Sequence, residues 1–213
     1  MARTPLAYLR PVVFVLCLLP ASSLVWGAFV GSLGANPIEA ITHGTGEWAL
    51  RLLLLTLSLT PAARLTGRTW LMGLRRMLGL FAFFYAGLHL VTYLWLDQFF
   101  MWGEILADIV ERPFITLGMS AFLLMVPLAA TSTRAMMRRL GRRWKTLHRL
   151  VYVSAALAVL HFLWLVKADL QRPLFYAVML GLLLGFRLVV WGRAHPRLRA
   201  RPHISPAGNN PAR

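Results

Sequence analysis

The stretch LHRLVYVSAALAVLHFLW, residues 147–164, is almost wholly apolar and carries a histidine near each end, His148 and His161. An apolar run of about 20 residues matches the hydrocarbon thickness of a bilayer. An imidazole at membrane depth has to be hydrogen-bonded, ligated to a metal or hydrated. The stretch therefore indicates a membrane-spanning helix, and its function depends on what the two histidines bind.

The composition of the whole chain is that of a membrane protein. Of its 213 residues, 58% are hydrophobic, and the mean hydropathy is +0.63, well above the range of soluble domains. Cys17 is the only cysteine, which excludes an intrachain disulfide and a cysteine-based metal site. The net charge of +16 is spread between apolar segments, so we expect a membrane partner and no nucleic acid.

Six segments are long and apolar enough to cross a bilayer, and no internal repeat is evident among them. They cover residues 11–31, 46–64, 77–97, 114–131, 148–166 and 173–191. The sequence therefore predicts an all-α membrane protein, a bundle of six transmembrane helices.

The basic residues predict the orientation of this bundle. On one face lie 19 of the 23 arginines and lysines, including the pair Arg75 and Arg76, the cluster at 134–149 and every arginine from Arg187 onward. Basic residues concentrate on the cytoplasmic side of membrane proteins. All seven acidic residues lie in or beside the opposite loops. Both termini are therefore predicted to be cytoplasmic.

Two histidines are predicted to lie at the same depth in different spans. His89 precedes Asp97 by eight residues and His161 precedes Asp169 by eight, which places each about 12 Å below the outer interface. Two imidazoles at matched depth suit the axial ligation of a haem. The alternatives are histidines hydrogen-bonded across helices, a zinc or copper site, and a proton relay. His43, His195 and His203 are expected on the solvated surface.

His148 lies about 20 Å further toward the cytoplasm, where a second haem is one interpretation. On a straight helix its side chain would point about 140° away from that of His161. Thirteen and fourteen residues before His89, where a second ligand is needed, the chain has Arg76 and Arg75 instead of histidine. His148 is therefore a candidate ligand of an inner haem, or an interfacial imidazole near lipid headgroups, a quinone or propionates.

Five segments resemble the MsrQ family, formerly YedZ, over nearly all of residues 45–191. They are LSLTPAARLTGR (57–68), RRMLGLFAFFYAGLHLVTYLW (75–95), ERPFITLG (111–118), TSTRAMMRRLGRRWKTLHRLVY (131–152) and LHFLWLVK (160–167). The resemblance implies a ferric-reductase-like domain in the bacterial inner membrane, with haem held between the third and fifth spans. The spans and the composition of the ends predict three parts: a cytoplasmic N-terminus at 1–10, a transmembrane haem domain at 11–191 and a disordered basic cytoplasmic tail at 192–213.

The resemblance also implies a function. The expected protein is a b-type haem subunit, non-catalytic itself, that passes electrons from the quinone pool or a cytosolic flavin reductase to the periplasmic molybdopterin reductase MsrP, which repairs oxidised methionine. His89, His148 and His161 match the haem-ligand histidines of the family, with one or two haems. FMN is implied by resemblance only, and no motif locates it.

Arg75 and Arg76 are candidates for contacting a propionate, a flavin phosphate or a quinone through charge-assisted hydrogen bonds, or for anchoring the span at the inner interface. The chain has no GxGxxG motif after a strand, so electrons have to come from a separate donor. The alternative functions are a self-standing metalloreductase or superoxide-producing cytochrome b, and a transport or structural bundle that uses the histidines as relays or in packing.

Overall fold

The computed structural model describes residues 5–166 and 169–194, which form helices and turns with no strand in those ranges. The helices are α1 (Pro5–Phe29), α2 (Pro37–Thr66), a 3₁₀ helix (Thr69–Leu74), α3 (Arg75–Val91), a π-helix (Thr92–Asp97), α4 (Trp102–Glu111), α5 (Pro113–Ala130), α6 (Arg134–Leu140), α7 (Arg142–Leu147), α8 (Leu150–Leu165) and α9 (Gln171–Ala194).

Six helical segments of the described chain are long and apolar enough to cross a membrane, as the sequence predicts. They are Leu6–Phe29, Pro37–Thr66, Thr69–Asp97, Pro113–Ala130, Arg142–Leu165 and Gln171–Arg193. The third combines α3 with the 3₁₀ helix and π-helix at its two ends, and the fifth combines α7 and α8. The protein is therefore a multi-pass, all-α membrane protein.

The second span begins earlier than predicted because it has a well-formed helix start. The Asn36 side chain accepts a hydrogen bond from the backbone N–H of Glu39, and Pro37 occupies the first turn, the place where a missing N–H costs nothing. As a result His43, which precedes the predicted second span, lies on α2; it is exposed, as expected, and 4.0 Å from Glu39.

Two antiparallel helix pairs form the centre of the bundle. Helix α2 packs along α3, and α5 packs along α8; α9 lies against α8 and α2. The core between them consists of fully buried side chains such as Leu54, Leu57, Ala82, Tyr85 and Ala155. Small residues at Ala82 and Ala155 allow the close helix approach that membrane bundles use in place of a hydrophobic driving force.

Helix α1 is attached to α3 by a tyrosine hydroxyl. Tyr85 donates to the carbonyl oxygen of Cys17 over 2.7 Å and accepts from the backbone N–H of Ala21 over 3.0 Å. These two backbone groups are four residues apart and would otherwise bond each other, so the hydroxyl is inserted into the ladder of α1. Pro20 lies in the same turn. Polar groups of α1 thus hold it in the bundle at this level.

The fifth span is not a straight helix. Helix α7 ends at Leu147, His148 and Arg149 form a turn, and α8 begins at Leu150. The carbonyl of Trp144 receives both the backbone N–H and the side-chain Nδ1 of His148, over 3.0 and 3.2 Å. The 140° separation predicted for His148 and His161 on an unbroken helix therefore does not apply.

At the two ends of the chain, the structure describes residues from Pro5 and up to Ala194. Helix α1 begins at Pro5, inside the segment predicted as the N-terminal extension, and α9 continues to Ala194. The predicted disordered tail at 192–213, with His195 and His203, falls outside the described residues from position 195 onward.

Candidate functional site

His89 of α3 and His161 of α8 face each other inside the bundle. Their ring centres are 6.2 Å apart, and the ring planes make an angle of 74°. Both side chains are half-buried. The two imidazoles that the sequence predicts at the same depth are therefore close together in the structure.

Each of the two imidazoles is oriented by a backbone carbonyl on a neighbouring helix. His89 Nδ1 lies 2.9 Å from the carbonyl oxygen of Thr42, and His161 Nδ1 lies 2.6 Å from that of Phe114. A carbonyl can only accept, so Nδ1 carries the proton in both rings and Nε2 keeps its lone pair. Metal-bound histidines are usually oriented in this way. Neither Nε2 makes a hydrogen bond within residues 5–166 and 169–194.

A glycine makes room for each ring. A Cβ atom at Gly46 would lie 3.0 Å from His89 Nδ1, and a Cβ atom at Gly118 would lie 2.8 Å from His161 Nδ1. Cβ contacts shorter than 3.0 Å are essentially absent from real proteins, and Cβ contacts of 3.0 Å are rare. The rings therefore lie against the bare backbone of α2 and α5, which fixes their positions as well as their orientations.

The two halves of the site repeat one arrangement. In each, 47 residues separate the histidine from its carbonyl partner, and the glycine follows that partner by four positions. Each member of the second half follows its counterpart by 72 positions: Phe114 and Thr42, Gly118 and Gly46, His161 and His89. The helix pairs α2–α3 and α5–α8 thus contribute equivalent half-sites, although the sequence shows no evident repeat.

The spacing of the rings fits one metal ion between them. An imidazole nitrogen binds a zinc-sized ion at about 2.0 Å and lies about 1.1 Å from the centre of its own ring. Two imidazoles on opposite sides of one ion therefore have ring centres about 6 Å apart, as observed here. Within the described residues no group of three or more His, Cys, Asp or Glu side chains could hold a metal. The pair suits an ion that brings its other ligands with it, as haem iron does.

The three candidates predicted near the cytoplasmic end, His148, Arg75 and Arg76, lie apart from this pair, and the structure brings only two of them together. His148 stacks on Trp144 with ring centres 3.9 Å apart, and its Nε2 is buried without a hydrogen-bond partner. Arg75 is half-buried and within electrostatic range of His148, whereas Arg76 is exposed. The two arginines were predicted as a pair, but successive helical positions point about 100° apart, so only Arg75 faces the bundle.

Near the predicted cytoplasmic end lies a further arginine, Arg187, whose place in the sequence suggested a cytoplasmic flanking residue. Arg187 lies within α9, donates to the carbonyl of Leu57 over 2.8 Å, and contacts the hydroxyl and the ring face of Tyr152. Its guanidinium carbon is 4.7 Å from the centre of that ring. A charged residue inside a span is a functional candidate by default.

At the end of the bundle that is predicted to face outward, one carboxylate contacts two arginines. Glu47 of α2 contacts Arg51 one turn further along and lies 3.3 Å from Arg172 of α9. Arg51 also donates from Nε to the Tyr176 hydroxyl over 3.0 Å and lies over the ring of Trp48. A cavity of about 380 Å³ is lined by Arg51, Gln171, Arg172, Phe175 and Tyr176. These contacts connect α2 and α9 at this end of the bundle.

Comparison with known proteins places this architecture in a family. A family model described as "Ferric reductase like transmembrane component" matches residues 45–159, more than half of the chain. The chain is 62% identical over 184 residues to the "Protein-methionine-sulfoxide reductase heme-binding subunit MsrQ" of Rhodospirillum rubrum, covering 84% of this chain and 87% of that protein. The chain belongs to the MsrQ family.

Other MsrQ proteins are similar to this chain over a comparable share of its length. The MsrQ subunit of Xanthomonas campestris pv. campestris (strain 8004) is 54% identical over 180 residues, covering 84% of this chain and 82% of that protein. The MsrQ subunit of Azospira oryzae is 54% identical over 186 residues, covering 86% of this chain and 80% of that protein. No solved structure matches the chain.

For this member of the MsrQ family, the sequence located the imidazoles of the site but not what surrounds them. His89 and His161 stood out because ionisable residues are rare inside spans. Gly46 and Gly118 gave no signal, because glycine is common in membrane helices and its partner becomes visible only when the helices are paired. The roles of His89, His148, His161, Arg75 and Arg76 in cofactor binding remain predictions.

Proposed function

We propose that this chain is the haem-binding, electron-transfer subunit of a periplasmic protein-methionine-sulfoxide reductase system. The observation that carries the proposal is the His89–His161 pair, whose separation of 6.2 Å matches two axial ligands of one ion. The names of the MsrQ relatives, which call those proteins heme-binding subunits, support the choice of haem. Haem b, held by non-covalent contacts, is the expected form because the only cysteine, Cys17, lies in α1.

The residues around the pair determine what the site can do. The carbonyls of Thr42 and Phe114 hold both protons on Nδ1 and leave Nε2 free to bind iron. A haem held by both His89 and His161 would have no iron site left for oxygen or substrate, which favours electron transfer. A haem bound here supplies a one-electron carrier within the membrane. We infer no separate catalytic residue in this chain.

The direction of electron flow follows from the proposed topology. With both termini in the cytoplasm, the His89–His161 pair lies in the outer half of the bacterial inner membrane and His148 in the inner half. Electrons would enter at the inner end near Arg75, Arg76 and His148, from the quinone pool or a cytosolic flavin reductase, and leave at the outer loops toward the molybdopterin reductase MsrP. An inner haem on His148, making two haems in all, is one form of this pathway. FMN rests on family resemblance alone.

The ligand assignment is tested by the haem-to-protein ratio and absorbance spectra of His89→Ala, His161→Ala and His148→Ala. His43→Ala is the matched control, because His43 is exposed on α2. We expect the first two substitutions to abolish the outer haem band and the control to leave it unchanged. An unchanged spectrum in either His89→Ala or His161→Ala would refute the ligand pair.

The choice of electron acceptor is tested with the reduced, purified protein. It is mixed separately with a periplasmic methionine sulfoxide reductase, with a ferric chelate and with oxygen, and reoxidation is followed by absorbance. We expect rapid reoxidation with the reductase alone. Equal or faster reoxidation by the chelate or by oxygen would favour the metalloreductase or superoxide-producing alternative.

A further inference from the structure

Arg187 is held in position by groups that do not neutralise its charge. Its guanidinium donates to the Leu57 carbonyl and to the Tyr152 hydroxyl, both of which are uncharged acceptors. The face of the Tyr152 ring adds a cation–π contact. The side chain is half-buried in α9 and no carboxylate contacts it. A charge inside a membrane bundle without a counterion is costly.

The same region contains polar atoms that have no hydrogen-bond partner. Arg187 Nε and His148 Nε2 are both buried and unpaired, and so is the hydroxyl of Thr60, one turn beyond Leu57 on α2. The Leu128 carbonyl lies near His148 but does not complete a hydrogen bond to Nε2. Buried donors in folded proteins are almost always satisfied. Arg187 Nε and the Thr60 hydroxyl are donors, so these two groups indicate a bound group that supplies acceptors. The His148 Nε2 is instead a lone pair, because Nδ1 donates its proton to the Trp144 carbonyl.

The charge around Arg187 defines what that group is. Arg75 and Arg64 both lie within electrostatic range of Arg187, and Arg75 is also in range of His148. The whole chain has only seven acidic residues, and all of them belong to the outer half of α2, the segment 97–111 or position 169. No acidic side chain of the described residues is therefore available at the inner level. Several cations and no anion require an anionic partner from outside the chain.

We propose that Arg187, with Arg75 in electrostatic range of it, forms an anion-binding site at the inner end of the bundle that takes a carboxylate or a phosphate. A guanidinium binds either anion through two parallel hydrogen bonds. The anion has two possible sources, a propionate of a tetrapyrrole bound at the inner level or the phosphate of an anionic phospholipid. The site does not depend on the His89–His161 pair, so it stands or fails separately from the proposed function.

The test compares Arg187→Gln with the matched control Arg193→Gln, which removes an exposed arginine from the same helix. Both full-length variants and the wild type are purified without haem and placed in nanodiscs of phosphatidylcholine, which has no net charge. Gel filtration and circular dichroism confirm folding. In one arm, haem and haem dimethyl ester, whose propionates are blocked, are titrated separately. In the other, phosphatidylglycerol binding is measured by native mass spectrometry.

If the anion is a haem propionate, we expect Arg187→Gln to weaken haem binding at the inner level about tenfold or more. Binding of the dimethyl ester should stay unchanged. If the anion is a lipid phosphate, we expect the affinity for phosphatidylglycerol to fall by a similar factor instead. Arg193→Gln should change neither. Affinities for both probes that stay within about twofold of wild type in Arg187→Gln, or equal losses in the two variants, would overturn the proposal.

If Arg187→Gln does not fold, Arg187→Lys replaces it in the same comparison. Lysine keeps the charge but loses the planar two-pronged donor. We expect several-fold weaker binding of the probe that the wild type prefers, and unchanged binding would overturn the proposal. His89→Ala provides the independent reference: it should remove the outer haem band while leaving the Arg187-dependent binding intact.

Discussion

At the scale of single residues, the candidate site consists of two histidines, two carbonyls and two glycines. His89 and His161 could be found in the sequence because ionisable residues within spans are few. Gly46 and Gly118 could not, because their importance lies in a contact between helices that the sequence does not pair. The arginines show the same limit: Arg75 and Arg187 meet His148 and Tyr152 only after the chain folds.

The glycine contacts predict that Gly118→Ala disturbs haem binding. A Cβ there would lie 2.8 Å from His161 Nδ1 and 3.0 Å from Cε1, so the ring has to move and its bond to the Phe114 carbonyl weakens. We expect haem affinity to fall about tenfold or more, the usual effect of losing a group that orients a metal ligand. Titration of the haem-free protein with haem measures this affinity.

Gly87→Ala is the matched control, because Gly87 lies two residues before His89 on α3 and a Cβ there meets nothing within 4 Å. Gly46→Ala, with its nearest contact at 3.0 Å, should have a smaller effect than Gly118→Ala. Equal affinities in all three variants would show that the glycines are ordinary packing residues.

At the scale of elements, the spans followed from hydropathy, whereas the shorter helices between them did not. Helix α4 has ten residues, Trp102–Glu111, and buries mainly Ile105, too short a signal to separate from a loop. It is held by Asp108, which accepts from Tyr93 and Gln98 and pairs with Arg112 at 3.1 Å. The break at His148 also escaped prediction, because no proline or glycine marks it.

The hydroxyl of Tyr85 predicts a measurable contribution to the docking of α1. In Tyr85→Phe the backbone groups of Cys17 and Ala21 can bond each other again, so we expect a loss of only about 1 kcal/mol in the free energy of unfolding. Tyr85→Ala also empties a fully buried site and should cost about 3–5 kcal/mol. Unfolding in mixed detergent micelles measures both.

Tyr8→Phe serves as control, because Tyr8 lies on the same α1 helix and is 62% exposed. It should leave the free energy of unfolding unchanged. A Tyr85→Ala variant as stable as Tyr8→Phe would contradict the assigned role of Tyr85 in the core.

The carboxylate of Glu47 predicts a second, weaker attachment between elements. Glu47→Gln leaves Arg51 and Arg172 facing each other without a counter-charge, so the outer ends of α2 and α9 should separate more readily. Because both arginines are partly exposed, we expect no more than about 1 kcal/mol in the free energy of unfolding, and less at high salt. The exposed Glu104→Gln provides the comparison; an equal effect there would exclude a specific contact.

At the scale of the whole molecule, the distribution of charge decides how the bundle lies in the membrane. Composition and periodicity were sufficient for the six spans, because burial in lipid imposes one requirement on all of them. They were not sufficient for the equivalence of the two helix pairs, which rests on one histidine, one glycine and one backbone carbonyl in each pair rather than on general sequence similarity. The orientation remains a prediction from the positive face.

Cysteine labelling tests this orientation. His43→Cys and Arg193→Cys are introduced separately into a Cys17→Ser chain, and a membrane-impermeant maleimide is added to intact spheroplasts. We expect position 43 to react at once and position 193 only after permeabilisation, because the positive face is predicted to be cytoplasmic. The reverse pattern would invert the topology and with it the proposed direction of electron flow.

The 74° angle between the rings of His89 and His161 also has a spectroscopic consequence. Each ring is held in its plane by its own carbonyl, so binding of an ion between them leaves little freedom to rotate. Axial imidazoles at nearly right angles donate π-density to both of the iron orbitals that lie perpendicular to the porphyrin, which keeps the energies of those orbitals close. A ferric centre in this position should therefore give a strongly anisotropic low-spin electron paramagnetic resonance signal, with one prominent low-field feature, instead of the rhombic spectrum that parallel imidazoles produce.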